Sequence, residues 1–269
     1  ALTAMAIHHH GHDAISLTGG QVGLRTDRVF GRARIREITQ RGRILSLLNE
    51  GSIVIVAGFQ GVDESANVTT LGRGGSDTTA VALAASLEAD ICEIYTDVDG
   101  VYSADPRIVP EARKLDHIFY DEMLELASLG AKVMHSRSIE LGKNYGVRIC
   151  VRSSFNDERG TDIVAESSDL EQDIVRGAAL KKKLARVEFA NVPHRPGVAG
   201  RIFGGVAERG ILVDDIIQVI TEDGCTVDIS FTIDGADLDA AQTLGGELAG
   251  EIPCARPAIK TGRAKVSVV

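Results

Sequence analysis

The sequence lacks the long apolar runs that mark a membrane protein. Its 269 residues are 44% apolar, but no stretch approaches the ~18 uninterrupted apolar residues that a membrane-spanning helix needs. The first residues, ALTAMAIHHHGHDA, contain no basic segment followed by a cleavage site, which argues against a signal peptide. We therefore expect a cytoplasmic chain that does not associate with a membrane.

Cysteine is scarce and shows no paired spacing. The four cysteines lie far apart, with no Cys-x-x-Cys pair among them: Cys92, Cys150, Cys225 and Cys254. This pattern argues against both a zinc knuckle and a disulfide framework. We expect all four to be small core residues in a reducing compartment.

A clustered positive charge is also absent. The formal net charge is −9, and the basic residues are scattered apart from Lys181, Lys182 and Lys183. A nucleic-acid interface would need a concentrated basic patch. We therefore expect small-molecule partners and no nucleic acid.

What the sequence does contain is an alternation typical of α/β proteins. Between Ala14 and Ser153, short β-branched runs alternate with glycine-rich turns and with apolar residues at helical spacing. Residues 52–61 and 89–106 each predict a buried strand that ends in a loop. Residues 120–146 predict helices that are interrupted near Gly130.

The last third of the chain has a different pattern. Between Gly160 and Val175 the sequence becomes acidic and polar, which predicts a linker or an edge strand. Beyond it, the pattern predicts the order strand, helix, strand, strand and helix, with a further strand near the end. We therefore divide the chain into residues 1–165 and residues 166–269.

A glycine-arginine loop, TTLGRGGSDTTA, stands directly before an alanine-rich helix. Its glycines let backbone N–H groups approach an anion, and the helix offers its positive end. Arg73 supplies a planar fork for a carboxylate or phosphate. Ser76 or Asp77 can cap the helix, and Asp77 can also meet an ammonium group. The combination predicts a receptor for a zwitterion, and the simpler alternative is a plain turn with a capped helix.

A second polar loop, TDVDGVYSADPR, follows a predicted buried strand. Open α/β sheets bind ligands at the carboxyl ends of their strands. Tyr102 can flank a base or ribose, and Arg107 can meet phosphate oxygens. In GAKVMHSRS, Lys132 can place its charge on a nucleotide phosphate, or it is an ordinary solvated helix residue.

Two groups of side chains suggest a metal hypothesis. Asp97, Asp99 and Asp105 can hold magnesium, but aspartates beside glycine and proline are more often turn formers. The histidines between His8 and His12 are interrupted by a glycine and have no carboxylate or cysteine at ligand spacing. We interpret them as exposed side chains at a helix end, and we assign no metal ligands to the chain.

Five motifs together resemble a known family. GFQG, TTLGRGGSDTTA, TDVDGVYSADPR, GAKV and VRSSF, in this order and spacing, resemble the aspartate kinase branch of the amino acid kinase family. The part from Val192 to about Ala249 resembles an ACT regulatory domain. The resemblance covers nearly the whole chain. It implies a three-layer α/β/α sandwich with a mainly parallel sheet in residues 1–165, followed by a βαββαβ ferredoxin-like ACT domain in residues 166–269.

The resemblance implies an activity and its partners. In this family, ATP with Mg²⁺ phosphorylates the β-carboxylate of L-aspartate, the first step toward lysine, threonine and methionine. Lysine or threonine inhibits through the ACT unit, and pairing of ACT units makes a homo-oligomer. The alternatives are a kinase for another carboxylate acceptor and a non-catalytic, amino-acid-binding regulatory fragment.

The resemblance also assigns individual residues. The positions that match the aspartate site are Phe59, Arg73, Ser76 and Asp77. The positions that match the nucleotide site are Thr96, Asp97, Tyr102, Arg107 and Lys132. The positions that match the effector site are Pro196, Gly197, Asp214 and Gln218. For the effector segment, an ordinary strand with one polar edge is the alternative, since Leu212 stands where the family often has asparagine.

Some elements of the family have no counterpart here. The family opens with a strand and a Lys-x-Gly-Gly-Thr/Ser phosphate loop, and it contains a Gly-Glu-Arg segment that contacts the substrate. Neither motif occurs in this sequence, and only one ACT-like segment follows the kinase-like part. The resemblance therefore implies a chain that is truncated at both ends.

Overall fold

The computed structural model describes residues 1–130, 133–165, 175–222, 224–252 and 257–269. It divides into two compact units, one of Ala1–Ala179 with Val268–Val269 and one of Leu180–Ser267. Over the described ranges, no helix combines the length and the apolar character that crossing a membrane requires. Residues 175–179 belong to the first unit, whereas we had grouped them with the second domain.

The first unit alternates short strands and helices. The helices are α1 (Leu2–His9), α2 (Arg41–Asn49), α3 (Gly75–Leu87), α4 (Tyr120–Leu129) and α5 (Ser136–Tyr145). The strands are β1 (Ala14–Leu17), β2 (Leu24–Thr26), β3 (Ile35–Ile38), β4 (Ile53–Val56), β5 (Gln60–Val62), β6 (Val68–Thr70), β7 (Cys92–Thr96), β8 (His117–Phe119), β9 (Ile149–Ser153) and β10 (Thr161–Val164). The predicted α/β class is confirmed.

The strands of this unit form mixed sheets. One sheet pairs β1 with β4, a second has the order β3-β2-β5-β6, and a third has the order β7-β9-β10-β8. The pairs β1–β4, β2–β5, β7–β9 and β8–β10 are parallel, and β2–β3, β5–β6 and β9–β10 are antiparallel. The inner face of the third sheet and helices α3, α4 and α5 enclose the largest core cluster of the unit.

Glycines end both helices that were predicted around Gly130. The amide N–H of Phe119 donates to the Glu122 carboxylate at 2.9 Å, which caps the start of α4. That helix ends at Gly130, and α5 ends at Gly146, with φ of 119° and 65°. These are left-handed conformations that favour glycine. The predicted interruption is confirmed.

Two predicted buried strands are less buried than expected. In β4, Ile53 is exposed and the other residues are half-buried, because this strand pairs only with β1 among the described strands. In β7, burial alternates, and Glu93 and Tyr95 face solvent. The prediction that both strands are buried was therefore wrong for β4, which is at most half-buried, and for one face of β7.

The segment predicted as a linker or edge strand contains an inner strand. β10 pairs with β9 on one side and β8 on the other, and three of its four residues are buried. The part that follows, residues 166–174, lies outside the described residues.

The second unit has the predicted order of elements. Its elements are β11 (Ala178–Pro193), α6 (Val198–Glu208), β12 (Val213–Ile220), β13 (Thr226–Asp234), α7 (Leu238–Glu251) and β14 (Ala258–Val268), of which only the first two residues of β11 and the last residue of β14 are assigned to the first unit. The strands form one sheet with the order β12-β13-β11-β14. Phe189 and Phe231 stack at 6.2 Å between ring centroids in a core that also takes residues from both helices. The strand near the end of the chain is confirmed.

The cysteine interpretation holds in part. Cys92 and Cys150 are buried, whereas Cys225 is exposed in the turn before β13. The expectation that all are core residues was therefore wrong for Cys225, and Cys254 lies outside the described residues. Burial raises the pKa of the Cys92 and Cys150 thiols to about 11, so both stay protonated at neutral pH. The histidines at the end of α1 are exposed, as expected.

Candidate active site

The glycine-arginine loop connects β6 to α3 as the sequence predicts. Gly72 and Gly74 have positive φ angles of 76° and 69°, which an L side chain adopts only with strain. A Cβ on Gly72 would lie 2.6 Å from the carbonyl oxygen of Gly31, and one on Gly74 would lie 2.3 Å from the Cβ of His135. The loop therefore needs glycine for its conformation and for two close approaches.

The amino-terminal end of α3 is open. Gly74 is the N-cap residue and makes no side-chain cap, and among the described atoms no acceptor meets the amides of Ser76 and Asp77. Ser76 and Arg73 are exposed. Unpaired amides at the positive end of a helix, beside a guanidinium, form a binding site for a carboxylate or phosphate.

Phe59 is held at this site in an unusual conformation. Its φ is 73°, which is rare for a residue with a side chain. Its N–H donates to the Thr79 hydroxyl at 3.1 Å, and its carbonyl accepts from the Leu71 amide at 2.9 Å. The ring lies against Gly75 and is 42% exposed. Strained residues held in this way cluster at functional sites.

Asp77 is half-buried at the start of α3. Burial raises the pKa of its carboxyl group, and the nearby His135 opposes this shift. Among the described residues no hydrogen bond satisfies this carboxylate. A desolvated carboxylate without a hydrogen-bond donor is suited to receive a cation from a ligand.

The segment from His135 to Arg137, at the start of α5, contributes two residues that the sequence alone did not indicate. His135 packs against Gly74 and lies near Asp77, and Arg137 donates to the carbonyl of Leu71. Both stand in the quoted GAKVMHSRS segment, but no local pattern connects them with a loop more than sixty residues earlier in the sequence. Lys132, which does belong to the predicted site, lies outside the described residues.

The other predicted nucleotide residues lie on one loop after β7. The Thr96 hydroxyl donates to Asp97 at 3.1 Å. Arg107 donates to both carboxylate oxygens of Asp105 at 3.0 Å, and this hydrogen bond, followed by the charge of Asp105 and a smaller contribution from Asp97, raises the pKa of Arg107. The loop thus brings Thr96, Asp97 and Arg107 to the carboxyl end of a strand.

Tyr102 has a more internal role. Its hydroxyl donates to both oxygens of Asp99 at 2.9 and 3.1 Å, and burial raises the pKa of Tyr102. Asp105 accepts from the amide of Arg107 at 3.0 Å, which is the hydrogen bond of an aspartate turn. Asp99 and Asp105 are therefore occupied by groups of their own loop.

The predicted effector residues do not form one cluster within the second unit. Gly197 is the N-cap of α6, with φ of 92°, and Pro196 is exposed beside it. Asp214 stands opposite Thr232 of β13, whereas Pro193 stands opposite Thr226 near the other end of that strand. Burial alone would raise the pKa of Asp214, but Lys265 outweighs it and lowers that pKa. Gln218 is exposed on β12.

Thr79 and Thr78 offer a matched test of how Phe59 is held. Both side chains are buried, and each hydroxyl donates to a helix carbonyl at 2.8 Å. Only Thr79 also accepts from Phe59. Thr79→Val would leave a backbone N–H unpaired, which costs about 1–3 kcal/mol, whereas Thr78→Val leaves no donor unpaired. We expect urea denaturation to show the larger loss for Thr79→Val, and equal losses would contradict the assigned role.

Comparison with known proteins gives a consistent result. The sequence profile of the amino acid kinase family matches residues 1–153. An aspartokinase of Bacillus sp. (strain MGA3) is 49% identical over the whole chain, which spans 65% of that protein. The chain thus covers slightly less than two thirds of the length of this curated relative.

Solved structures agree with the sequence comparison. One similar structure is that of E. coli aspartokinase III in complex with lysine and aspartate. The match covers 98% of this chain and 58% of the E. coli chain, with a TM-score of 0.81 and 30% identity. The structure of the same E. coli enzyme with aspartate and ADP matches with a TM-score of 0.80 and 30% identity. This match covers 100% of this chain and 60% of the E. coli chain. Since the family profile covers more than half of the sequence, the chain belongs to the amino acid kinase family.

Proposed function

We propose that this chain is part of an aspartate kinase, which transfers the γ-phosphoryl group of ATP to the β-carboxylate of L-aspartate. The observation that carries the proposal is the open end of α3 with Arg73 and Asp77 beside it. The relatives support it, because the Bacillus protein is an aspartokinase and the E. coli structures hold aspartate, ADP or lysine.

The site offers an anion-binding group and a cation-binding group, one for each charge of an amino-acid zwitterion. Arg73 and the free amides of Ser76 and Asp77 bind a carboxylate. The half-buried Asp77 carboxylate binds the ammonium group. Phe59 closes one side of the pocket with its exposed ring. A ligand that carries both a carboxylate and an ammonium group matches this set better than a simple carboxylic acid does.

The nucleotide binds at the loop after β7 in this proposal. Thr96, Asp97 and Tyr102 flank its base and ribose, while Arg107 and Lys132 meet the phosphates. Magnesium, when bound, neutralises charge on the phosphates, and kinases hold it with one or two carboxylates plus the phosphates themselves. Within the described ranges no three acidic, histidine or cysteine side chains converge. Asp97, Asp99 and Asp105 each already accept a hydrogen bond from a residue of their own loop, so we assign none of them to the metal.

The reaction then needs little from the protein beyond position and charge. The β-carboxylate is ionised at neutral pH, so no general base has to remove a proton. One of its oxygens forms a bond to the γ-phosphorus as the bond to the bridging oxygen of ADP breaks, and the product is an acyl phosphate. The guanidinium groups, Lys132 and the helix amides offset the negative charge of the two reactants.

We further propose that the second unit is an ACT domain with the ferredoxin-like βαββαβ fold, and that the first unit is the core of a three-layer sandwich. The strand order of the second unit supports the first part. Lysine or threonine would bind through Pro196, Gly197, Asp214 and Gln218. Because the register separates Asp214 from Pro196 within one unit, a complete effector site would combine residues of two paired units. The enzyme would then be a cytoplasmic homo-oligomer.

The activity is tested by ADP formation with L-aspartate and magnesium-ATP. The assay uses both this chain and a longer version that adds the remaining segments of its relatives. Arg73→Lys keeps the charge but loses the planar fork, so we expect a loss of about 2 kcal/mol or more, about 30-fold in kcat/KM for aspartate. Arg201→Lys, an exposed arginine paired with Glu251 in the second unit, is the control and should change nothing.

The proposal fails if neither version forms ADP with aspartate. If lysine or threonine still raises the melting temperature of the inactive protein, the chain is an amino-acid-binding regulatory unit instead. Activity with another carboxylic acid but not with aspartate would point to a different acceptor in the same fold.

We expect the charged form of Asp77 to lower the stability of the fold while it contributes to the binding of aspartate. The pKa of Asp77 in the folded state is raised above the ordinary value of 3.8. When the pH lies between the ordinary pKa and the raised pKa, the carboxyl group is therefore protonated in the folded state and ionised in the unfolded state. Stability therefore falls as pH rises through that interval and stays lower above it. We expect Asp77→Asn to raise the melting temperature at pH 7, to remove this pH dependence and to raise KM for aspartate. A lower melting temperature in the variant would contradict the burial penalty.

A further inference from the structure

Arg137 lies at the start of α5 and reaches two segments that are distant in sequence. Its guanidinium donates to the carbonyl of Leu71 at 2.9 Å and to the carbonyl of Ala33 at 2.8 Å. Its own amide donates to His135 Nδ1 at 3.3 Å. One side chain thus joins α5 to the residue that precedes Gly72 and to the loop before β3.

The two segments that Arg137 joins also touch each other. The Ala33 amide donates to the Thr70 carbonyl at 3.0 Å, and Gly31 presents its carbonyl to Gly72 at a distance that excludes a Cβ. Leu71 is fully buried, so the loop is anchored at its first residue. Arg137 therefore contacts the glycine-arginine loop at its anchored end, directly before the residues that turn into α3.

The acceptors of Arg137 are neutral carbonyls, and no carboxylate forms an ion pair with it within the described ranges. The guanidinium is half-buried, and burial, followed by the charge of Arg34, lowers its pKa, while Asp27 acts in the opposite direction. Partly burying a cation against neutral acceptors costs free energy that an apolar side chain would avoid. Its planar fork, in contrast, can hold two carbonyls in fixed relative positions.

We propose that Arg137 is a positioning residue for the aspartate site. It fixes the carbonyl of Leu71 relative to Ala33 and so sets the direction of the loop that carries Arg73 and the free amides of α3. The inference rests on the proposed function and adds a residue outside the substrate pocket.

Two variants separate positioning from general stability. Arg137→Lys keeps the charge and can still donate to one carbonyl, whereas Arg137→Met removes both the charge and the hydrogen bonds at similar length. The control is Arg148→Met, which removes an arginine of the same unit that donates to Asp162 at 2.8 Å. All variants are made in the form of the protein that is active in the wild type.

For each variant, kcat, KM for aspartate and KM for ATP are measured separately, at a temperature well below the melting temperature of that variant. A displaced loop misplaces the substrate, and errors of this kind cost up to about 100-fold in rate. We expect kcat/KM for aspartate to fall about 10- to 100-fold in Arg137→Met and less in Arg137→Lys, with KM for ATP nearly unchanged. If both variants only lower the melting temperature and keep wild-type kinetics, Arg137 is a structural residue and the proposal is wrong.

Hydrogen exchange tests the positioning without relying on activity. The amides of Leu71, Gly75 and Thr78 donate to Phe59, Gly72 and Gly74, respectively. We expect these amides to lose protection in Arg137→Met and Arg137→Lys but not in the Arg148→Met control. If the wild type does not phosphorylate aspartate, the proposed function fails, and unchanged exchange in both Arg137 variants would independently overturn the positioning role.

Discussion

The candidate site depends on backbone amides at the start of α3 that meet no acceptor among the described residues. An open helix end is unfavourable unless water or a ligand satisfies it, and here the residues around it keep it open. Gly72 and Gly74 adopt positive φ angles so that the chain can turn into the helix without a side-chain cap. In the proposed function this helix end binds an anion, with Arg73 in the preceding loop and the partly buried Asp77 in the first turn of the helix.

Contacts from distant parts of the sequence hold this arrangement in place. Thr79 and Leu71 fix the strained backbone of Phe59. His135 packs against Gly74. The contacts that hold Phe59 are hydrogen bonds to its backbone atoms, which define position more strictly than apolar packing does. The site is therefore built in two layers: a local loop that presents the binding groups, and remote residues that aim them.

The sequence indicated the residues of the local loop but not the remote residues that position this loop. The loop motifs led to Arg73, Asp77, Thr96 and Arg107 as predicted site residues because loop geometry is encoded within a few residues, and their binding roles stay predictions. His135 and Arg137 escaped notice because their role depends on tertiary contacts. For the same reason the order of elements was predictable, whereas the burial of β4 and β7 was not: it depends on which neighbours cover each face. β10 was predicted as a linker or an edge strand because polar residues surround its short buried segment.

The most direct test of the account is a titration with L-aspartate that follows the backbone amide resonances by nuclear magnetic resonance. The account predicts saturable shifts of the Ser76 and Asp77 amides, because a bound carboxylate accepts their hydrogen bonds. Succinate, which has both carboxylates but no ammonium group, should bind more weakly since it leaves Asp77 without a cation. Saturable binding of aspartate that leaves these two amides unchanged would contradict the central claim.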